Sequence, residues 1–217
     1  MFKLYAMRHA KSSWDFPDLD DHDRPLNKRG VNSAKLICEF FIKKKLKFDL
    51  VYCSSSKRTI QTLNILSEKI SFKKIIKKKA LYHASEDEII HILKQTVDNY
   101  KTLLLINHEP SISELINRIC LKENSEQFEN LKRKFPTAAV AEVSFNFNDW
   151  EKLSKVKGKL IKITCDIMDY EDLSSKLKKI KKIDILVNNA GTNIPEPFEK
   201  IKQKSMNYLV DLNMKAA

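Results

Sequence analysis

Short apolar runs alternate with amphipathic segments over the first 147 residues, and this alternation constrains the fold more than any other feature. Strands are predicted at residues 2–7, 50–53, 102–106 and 138–147. Helices are predicted over residues 28–45, 57–70, 86–97 and 110–121. The run at 102–106 is continuously apolar, which is typical of a central strand covered on both faces. The sequence therefore predicts an α/β three-layer sandwich, in which a mainly parallel sheet carries helices on both faces.

Glycine is scarce in this chain. Its 217 residues include only Gly30, Gly158 and Gly191. Phosphate-cradling P-loops and dinucleotide-binding turns both need clustered glycines, because their backbone must approach a phosphate closely. No such cluster exists in the sequence. A complete nucleotide-binding site of either type is therefore excluded.

Charge and cysteine content narrow the class of protein. The formal charge is +12, but the lysine runs lack interleaved aromatic residues, which indicates solvated faces and not a nucleic-acid surface.

The four cysteines (Cys38, Cys53, Cys120, Cys165) form no C-x-x-C pair and are predicted to be buried thiols in a reducing cytoplasm. Neither a signal peptide nor an apolar run near the roughly 18 residues of a membrane span is present. We expect a soluble cytoplasmic protein that binds neither nucleic acid nor membrane, and the sequence leaves its oligomeric state open.

Arginine and histidine follow three of the predicted strands. Arg8 and His9 follow the first strand, Arg58 lies at the helix start after the second, and His108 follows the third. Ligands of open α/β folds bind at the carboxyl edge of the sheet. A histidine there can act as a nucleophile, and arginine can bind phosphate through two N–H groups. If the three strands are neighbours, these side chains converge on one anion-binding pocket.

The residues around His9 resemble a known pattern. The segment M-R-H-A-K-S-S-W at residues 7–14 is similar to the R-H-G motif of the histidine phosphatase superfamily, and most closely to that of bacterial SixA-like phosphohistidine phosphatases. The resemblance continues in order through residues 24–30, 58–62, 81–85, 108 and 135–139. It covers about residues 1–160 and implies the phosphoglycerate-mutase-like α/β fold for that domain.

The resemblance also implies roles for individual residues. His9 would be the nucleophile that takes the phosphoryl group, and water would then hydrolyse the intermediate. The groups that bind the phosphoryl oxygens would be Arg8, Arg58 and His108. Apart from the resemblance, Ser12 is a further candidate, since its hydroxyl could contact the phosphate. For attack, His9 must be neutral at one ring nitrogen while the other donates a hydrogen bond, for example to a backbone carbonyl. Because two arginines and one histidine supply positive charge, no metal or other cofactor is expected.

Two residues are candidates for the general acid. Phosphoglycerate-mutase-like relatives place a glutamate at the position that corresponds to His83, and acid phosphatases use an acidic residue directly after the second histidine, here Glu109. A phosphorylated imidazole is a good leaving group, so the missing glutamate favours phosphohistidine over phosphosugars. We therefore expect a phosphotransfer protein that bears phosphohistidine as the substrate and partner. A small phosphorylated metabolite is an alternative substrate, and a catalytically silent module that binds phosphorylated partners is an alternative function.

Residues 161–217 resemble a different family. Asp166, the N-N-A-G segment at residues 188–191 and Asn213 match the middle of a short-chain dehydrogenase/reductase, where such residues contact adenine, border the cofactor and belong to the catalytic tetrad. The glycine-rich turn, the catalytic serine and the Tyr-x-x-x-Lys of that family are absent, so no functional NAD(P) site is expected. We interpret the segment as an incomplete Rossmann-like α/β fragment, with strands predicted at 160–164 and 183–187 and a helix predicted at 170–180. Gene fusion, truncation or sequence assembly could each produce it, and an NAD(P)-linked oxidoreductase remnant is the least favoured function.

Overall fold

A six-stranded sheet runs through the computed structural model, which describes residues 1–121 and 135–164. Its strands are β1 Phe2–Arg8, β2 Leu50–Ser54, β3 Lys74–Lys78, β4 Thr102–Asn107, β5 Val140–Phe145 and β6 Lys159–Thr164. The helices are α1 Lys28–Lys43, α2 Lys57–Ser67, α3 Glu86–Lys94 and α4 Ser111–Ile119, with 3-10 turns at Asp21–Asp23, Lys79–Leu81 and Trp150–Lys152. The helix predicted at 170–180 and the strand predicted at 183–187 lie outside the described residues.

The sheet is mainly parallel, as predicted. Its strand order is β3-β2-β4-β1-β5-β6. Strands β3, β2, β4 and β1 pair in parallel, whereas β5 is antiparallel to both of its neighbours. Parallel strands need crossover connections, and the helices α1, α2 and α3 lie in the connections that link β1, β2, β3 and β4 in chain order.

Helices cover both faces of the sheet. One apolar cluster joins the sheet to α1 and α2 and includes Phe41 and Leu66, whereas the other joins it to α3 and α4 and includes Ile89 and Leu115. Residues 103–106 of β4 alternate between the two clusters, and all four are fully buried. The continuous apolar run in β4 is therefore the consequence of a central position with helices on both sides. This confirms the predicted sandwich.

Strand β3 was missed by the sequence analysis. Its sequence, K-I-I-K-K, lies in a lysine run that was interpreted as a solvated face. The lysines are indeed largely exposed, but the segment pairs in parallel with β2 at the edge of the sheet. Lysine on an edge strand discourages pairing with other chains. A solvated lysine run and a lysine-rich edge strand therefore have the same sequence pattern, and only the pairing with β2 shows that this segment is a strand.

Strand β6 extends the sheet past the predicted domain boundary. The sequence analysis placed the strand at 160–164 at the start of the dehydrogenase-like segment, with the boundary between residues 160 and 161. In the structure β6 pairs with β5, with Ala141 opposite Ile163 and Val140 opposite Thr164. Leu160 is buried in the same apolar cluster as α3 and α4. The strand thus belongs to this sheet, and the domain assignment of residues 165–217 stays a prediction.

The loop that follows β1 is fixed by the start of α1. Asn27 caps this helix by accepting a hydrogen bond from the Gly30 N–H (2.8 Å), and its own N–H donates to the Lys11 carbonyl (3.0 Å). A Cβ atom on Gly30 would lie 2.1 Å from the Lys11 carbonyl oxygen, so the helix can approach this closely only with glycine. Because Lys11 lies two residues after His9, this contact sets the path of the loop that carries His9.

Two expectations about the whole chain can be compared with the described residues. Cys38, Cys53 and Cys120 are buried, as predicted, and Cys165 lies outside the described residues. Burial raises the pKa of the Cys53 thiol to about 12, so this thiol stays protonated at neutral pH. Across residues 1–121 and 135–164, none of the helices has the length and apolar character to cross a membrane.

Candidate active site

The carboxyl ends of three neighbouring strands meet at one edge of the sheet. The strand order places β2, β4 and β1 side by side, which is the condition that the sequence analysis set for a single pocket. The rings of His9, after β1, and His108, after β4, lie 5.1 Å apart between centroids. A pocket at this edge is lined by Arg8, His9, Lys11, Ser12, Trp14, Asp21, Arg24, Arg58, His83, His108, Glu109 and Thr137. All seven residues selected from the sequence are among them.

The hydrogen bonds of His9 define which ring nitrogen carries the proton. Nδ1 lies 2.7 Å from the Ala10 carbonyl oxygen, which can only accept, so Nδ1 is the donor. Nε2 accepts a hydrogen bond from Nε of Arg58 at 3.2 Å, which requires a lone pair on Nε2. The arrangement is that of a neutral ring with its lone pair on Nε2, as the nucleophile requires.

Burial keeps His9 uncharged. Its side chain is 7% exposed, and this burial is the main reason why the pKa of His9 is lowered to about 3. The hydrogen bond to Ala10 opposes the shift, whereas the positive charges of Arg58, Arg8 and Arg24 add to it. An anionic ligand would act in the opposite direction, because a negative charge favours the protonated ring.

Arg58 is held by the start of α2 and by the loop in front of the pocket. Ser56 caps α2, and Thr62 on the next turn accepts a hydrogen bond from the Ala10 N–H (3.1 Å), which ties the helix to the His9 loop. The Arg58 Nη2 donates to Asp21 Oδ2 (2.8 Å), and its Nη1 donates to the Asp21 carbonyl. With Nε on His9, every nitrogen of this guanidinium makes a directed contact.

His108 faces His9 across the pocket. Its Nε2 lies 2.8 Å from Ser54 Oγ at the end of β2, and its Nδ1 is buried with no hydrogen-bond partner in the part of the chain that the structure describes. Burial, followed by the neighbouring His9 and Arg58, lowers the pKa of His108 to about 2. The Ser54 hydroxyl fixes the ring, which leaves Nδ1 as the nitrogen that can contact a ligand. Arg8, which directly precedes His9, donates from Nη1 to the Phe135 carbonyl at 2.6 Å.

The structure places both candidates for the general acid in the pocket lining. Glu109 accepts a hydrogen bond from Ser113 through Oε1, and its Oε2 is buried with no partner among the described residues. Burial raises the pKa of Glu109, although Ser113 and Arg8 oppose the shift, so the protonated form persists to higher pH than in water. His83 is exposed and has a left-handed backbone (φ 57°), with its ring against Tyr82. Of the two candidates, Glu109 is therefore the one whose carboxyl group is buried and has a raised pKa.

Several pocket residues were missed by sequence reasoning. Asp21 lies between two cations, 3.1 Å from Arg24 and 2.8 Å from Arg58, and it accepts a hydrogen bond from the Tyr82 hydroxyl (2.8 Å). Burial acts to raise the pKa of Asp21, but the contacts with Tyr82, Arg58 and Arg24 outweigh it and lower the pKa to about 2. The loop contains five aspartates, and nothing in its local pattern indicates which one folds back onto the pocket. Arg24 lies in a motif that the resemblance included, which was the available signal for it.

The remaining predicted site residue, Ser12, is buried in the pocket wall beside Arg8 and His9. The lining as a whole carries three arginines and Lys11 against the carboxyl groups of Asp21 and Glu109. Within residues 1–121 and 135–164, no cluster of three or more histidine, cysteine, aspartate or glutamate side chains could hold a metal ion. The excess of cationic N–H donors around two neutral histidines suits an oxyanion such as phosphate.

Comparison with protein families gives two matches along the chain. Residues 4–89 match the family model of the histidine phosphatase superfamily, branch 1. Residues 119–217 match the family model of short chain dehydrogenases. The described part of the second match includes β5 and β6, which belong to the same sheet as the strands that carry the pocket.

Individual relatives resemble most of the chain. The uncharacterized protein ML1117 of Mycobacterium leprae is 31% identical over 159 residues, which are 71% of this chain and 96% of that protein. A structure from Nakamurella multipartitia, assigned as the phosphohistidine phosphatase SixA, has 26% identity and a TM-score of 0.67, covering 75% of this chain and 95% of its own. A structure with the same assignment from Agrobacterium tumefaciens has 21% identity and a TM-score of 0.64, covering 76% and 98%, and shares the fold.

From the burial of the neutral His9 ring we predict that the free energy of unfolding falls at acidic pH. His9 is uncharged in the folded chain down to a pKa of about 3, whereas its ordinary pKa is 6.5. Between these values the unfolded state binds one more proton at this residue, so the free energy of unfolding falls as the pH is lowered from 6.5. The slope contributed by His9 approaches about 1.4 kcal/mol per pH unit. Urea unfolding at pH 7, 6, 5 and 4 should show a shallower decline for His9→Gln than for the wild type, and equal slopes would contradict the buried neutral ring.

Proposed function

The chain belongs to the histidine phosphatase superfamily, and we propose that it is a metal-independent phosphatase that acts through a phosphohistidine intermediate on His9. The observation that carries the proposal is the hydrogen bond from His9 Nδ1 to the Ala10 carbonyl (2.7 Å). Because this bond keeps the proton on Nδ1, the lone pair lies on Nε2, where it can attack phosphorus once the Arg58 Nε–H leaves it for the phosphoryl group. Arginine side chains supply the positive charge that the phosphoryl group needs, and no step calls for a metal ion.

The first step transfers the phosphoryl group to the enzyme. His9 Nε2 forms a bond to phosphorus while the bond from phosphorus to the leaving group breaks. The leaving group takes a proton from the general acid, for which Glu109 and His83 are the candidates. Arg8 and Arg58 stabilise the charge on the phosphoryl oxygens. The Ser54 hydroxyl donates to Nε2 of His108, so that the His108 proton sits on Nδ1 and donates to a phosphoryl oxygen. The contacts of His9 with Ala10 and of His108 with Ser54 hold the two rings in place for these roles.

The second step frees the enzyme. Water attacks the same phosphorus, the bond from His9 Nε2 to phosphorus breaks, and the proton lost by water passes to a basic group of the pocket, for which deprotonated Glu109 is our candidate. Inorganic phosphate leaves, and Nε2 regains its lone pair.

We propose phosphohistidine on a phosphotransfer protein as the substrate. Imidazole leaves phosphorus more readily than a sugar alkoxide does, which suits a pocket whose candidate acids are an exposed histidine and a partly buried glutamate. The similarity to the Nakamurella protein assigned as a phosphohistidine phosphatase supports the same substrate class. A small phosphorylated metabolite is the competing substrate, and the two differ in how much surface they touch outside the pocket.

The rim of the pocket supports a protein substrate. Trp14 and Asp21 both line the pocket, and the loop between them carries Phe16 and Leu19. The exposed fractions are 74% for Trp14, 52% for Phe16 and 40% for Leu19. Exposed apolar side chains that cluster in one loop are typical of interaction surfaces. A protein would cover Phe16 and Leu19, whereas a small metabolite bound in the pocket would not reach these two side chains, which are not part of the pocket lining.

The test of the proposed function is phosphate release from a phosphotransfer protein that bears phosphohistidine. Replacing His9 with alanine removes the nucleophile, so we expect release to fall by about 10³-fold or more. Wild-type enzyme that is incubated with ³²P-labelled substrate, quenched in alkaline detergent and separated from the substrate protein should carry label that is stable to alkali and labile to acid, as phosphohistidine is. The exposed His91→Ala on α3 is the matched control and should retain full activity.

Two outcomes would contradict the proposal in different ways. Unchanged release by the His9→Ala variant would exclude His9 as the nucleophile. Binding of phosphate by the wild type without any turnover, on phosphohistidine or on monoesters, would favour the silent binding module instead.

Glu109→Gln tests the general acid. If Glu109 protonates the leaving group, substrates with a poor leaving group lose about 10²- to 10⁴-fold in kcat, whereas phosphohistidine loses much less. Activity of the wild type on an alkyl phosphate should fall as the pH rises through the raised pKa of Glu109, because the acid is then deprotonated. Steady-state kinetics on both substrates across pH check this, with His83→Gln as the paired variant. A selective loss in His83→Gln would move the role to His83.

Substitution of Phe16 and Leu19 by serine tests the protein substrate. Both side chains are exposed, so the fold should be unaffected. The kcat/KM for the phosphorylated protein should fall about 3- to 30-fold, which corresponds to the loss of one or two apolar contacts. Hydrolysis of free phosphohistidine, which cannot reach the loop, should be unchanged. Equal kinetics of the double variant and the wild type on the protein substrate would refute a role for this loop. The control is Val97→Ser, a substitution of an exposed apolar residue that follows α3 and is not part of the pocket lining.

A further inference from the structure

Arg24 is a buried cation of the pocket that has no role in the catalytic steps above. It is 9% exposed and lines the same pocket as His9. Its Nη2 lies 3.1 Å from Asp21 Oδ1. Its Nε and Nη1 are buried and have no hydrogen-bond partner among the residues that the structure describes. Because buried N–H groups are nearly always paired in folded proteins, two of them on one guanidinium indicate a side chain that binds an acceptor from outside the chain.

The Arg24 guanidinium is held in one orientation. Its Cζ lies 3.5 Å from the centroid of the Trp14 ring, which is cation–π contact. The backbone beside it is tied to the His9 loop, because the Ser13 N–H donates to the Pro25 carbonyl at 2.8 Å. A guanidinium that is already fixed loses little conformational entropy when it binds a planar or tetrahedral oxyanion.

Asp21 connects Arg24 to the reacting end of the pocket. Its Oδ1 contacts Arg24, and its Oδ2 accepts a hydrogen bond from Arg58, so one carboxylate orients both guanidinium groups. Arg58 in turn contacts the attacking nitrogen of His9. Arg24 therefore lines the same pocket as His9 and is linked to it through Asp21 and Arg58, and its positive charge acts on the His9 ring.

We propose that Arg24 is an oxyanion-binding residue of this pocket, whose Nε–H and Nη1–H groups donate to the substrate. The acceptor is an oxygen of the phosphoryl group or an oxygen of a second anionic group on the same molecule, since both present the same chemistry to a guanidinium. The proposal rests on the proposed function for the nature of the pocket. Calorimetric and NMR titrations test it without any turnover, so the two can fail separately.

The first experiment measures the dissociation constant of inorganic phosphate by isothermal titration calorimetry. The variants are Arg24→Gln, which removes the charge, and Arg24→Lys, which keeps the charge but not the two adjacent N–H donors. If Arg24 contacts the phosphoryl group, both variants should bind phosphate about 10- to 100-fold more weakly, the loss expected for charge-assisted hydrogen bonds. Arg118→Gln, an exposed arginine on α4, is the control and should bind as the wild type does.

The second experiment distinguishes the two acceptors with a matched pair of substrates. Phenyl phosphate and 4-carboxyphenyl phosphate differ by one carboxylate. Unchanged phosphate binding together with a KM that rises only for the carboxylated substrate would assign Arg24 to a second anionic group. Unchanged phosphate binding and unchanged KM for both substrates would overturn the proposal.

A measurement on the wild-type chain guards against variants that fail to fold. Titration with inorganic phosphate, followed by ¹H–¹⁵N NMR of the arginine side chains, should shift the Nε–H signal of Arg24 downfield as it gains an acceptor. An Arg24 signal that stays in place while phosphate saturates the pocket would refute contact with the phosphoryl group. The same titration with 4-carboxyphenyl phosphate then tests the second anionic group, and a stationary signal in both titrations would overturn the proposal as a whole. If the enzyme binds phosphate through Arg24 and turns over no phosphorylated substrate, the phosphatase proposal fails and the binding role of Arg24 stands.

Discussion

The hydrogen bond between His9 Nδ1 and the Ala10 carbonyl is the interaction on which the chemistry of the pocket depends. It places the ring proton on Nδ1 and the lone pair on Nε2, and it does so inside a loop whose path is itself constrained. The Ala10 N–H donates to Thr62 on α2, and the Lys11 carbonyl accepts from Asn27 at the start of α1. Gly30 allows α1 to lie against Lys11. Two helices on one face of the sheet therefore hold a single imidazole tautomer.

Charge balance explains how three arginines can share a small pocket with two histidines. Burial and the neighbouring cations keep His9 and His108 neutral, which avoids further positive charge. Asp21 compensates two of the guanidinium groups at once. The pocket still holds more cationic N–H donors than carboxylate acceptors. An incoming oxyanion would accept hydrogen bonds from these donors and balance their charge, so the excess positive charge favours ligand binding.

The sheet also shows how far the phosphatase fold extends along the chain. Strand β6 pairs with β5 and buries Leu160 against the same cluster as α3 and α4. Residues 119–217 match the short chain dehydrogenase family, yet the described part of that match is built into the sheet that carries His9. A boundary between the two families is therefore placed better after β6 than before it, and pairing with β5 gives the physical reason.

The sequence by itself determined the local elements and the reacting residues. Apolar periodicity acts over a few positions, so the helices and central strands could be predicted from it. The motif around His9 pointed to the chemistry for the same reason, since its residues are consecutive. Tertiary structure alone decided that the lysine-rich β3 is an edge strand, that β6 joins this sheet, and that Asp21 and Arg24 complete the pocket. Asp21 meets Arg58 and Tyr82 from 37 and 61 residues away, and contacts over such separations leave no local pattern to read.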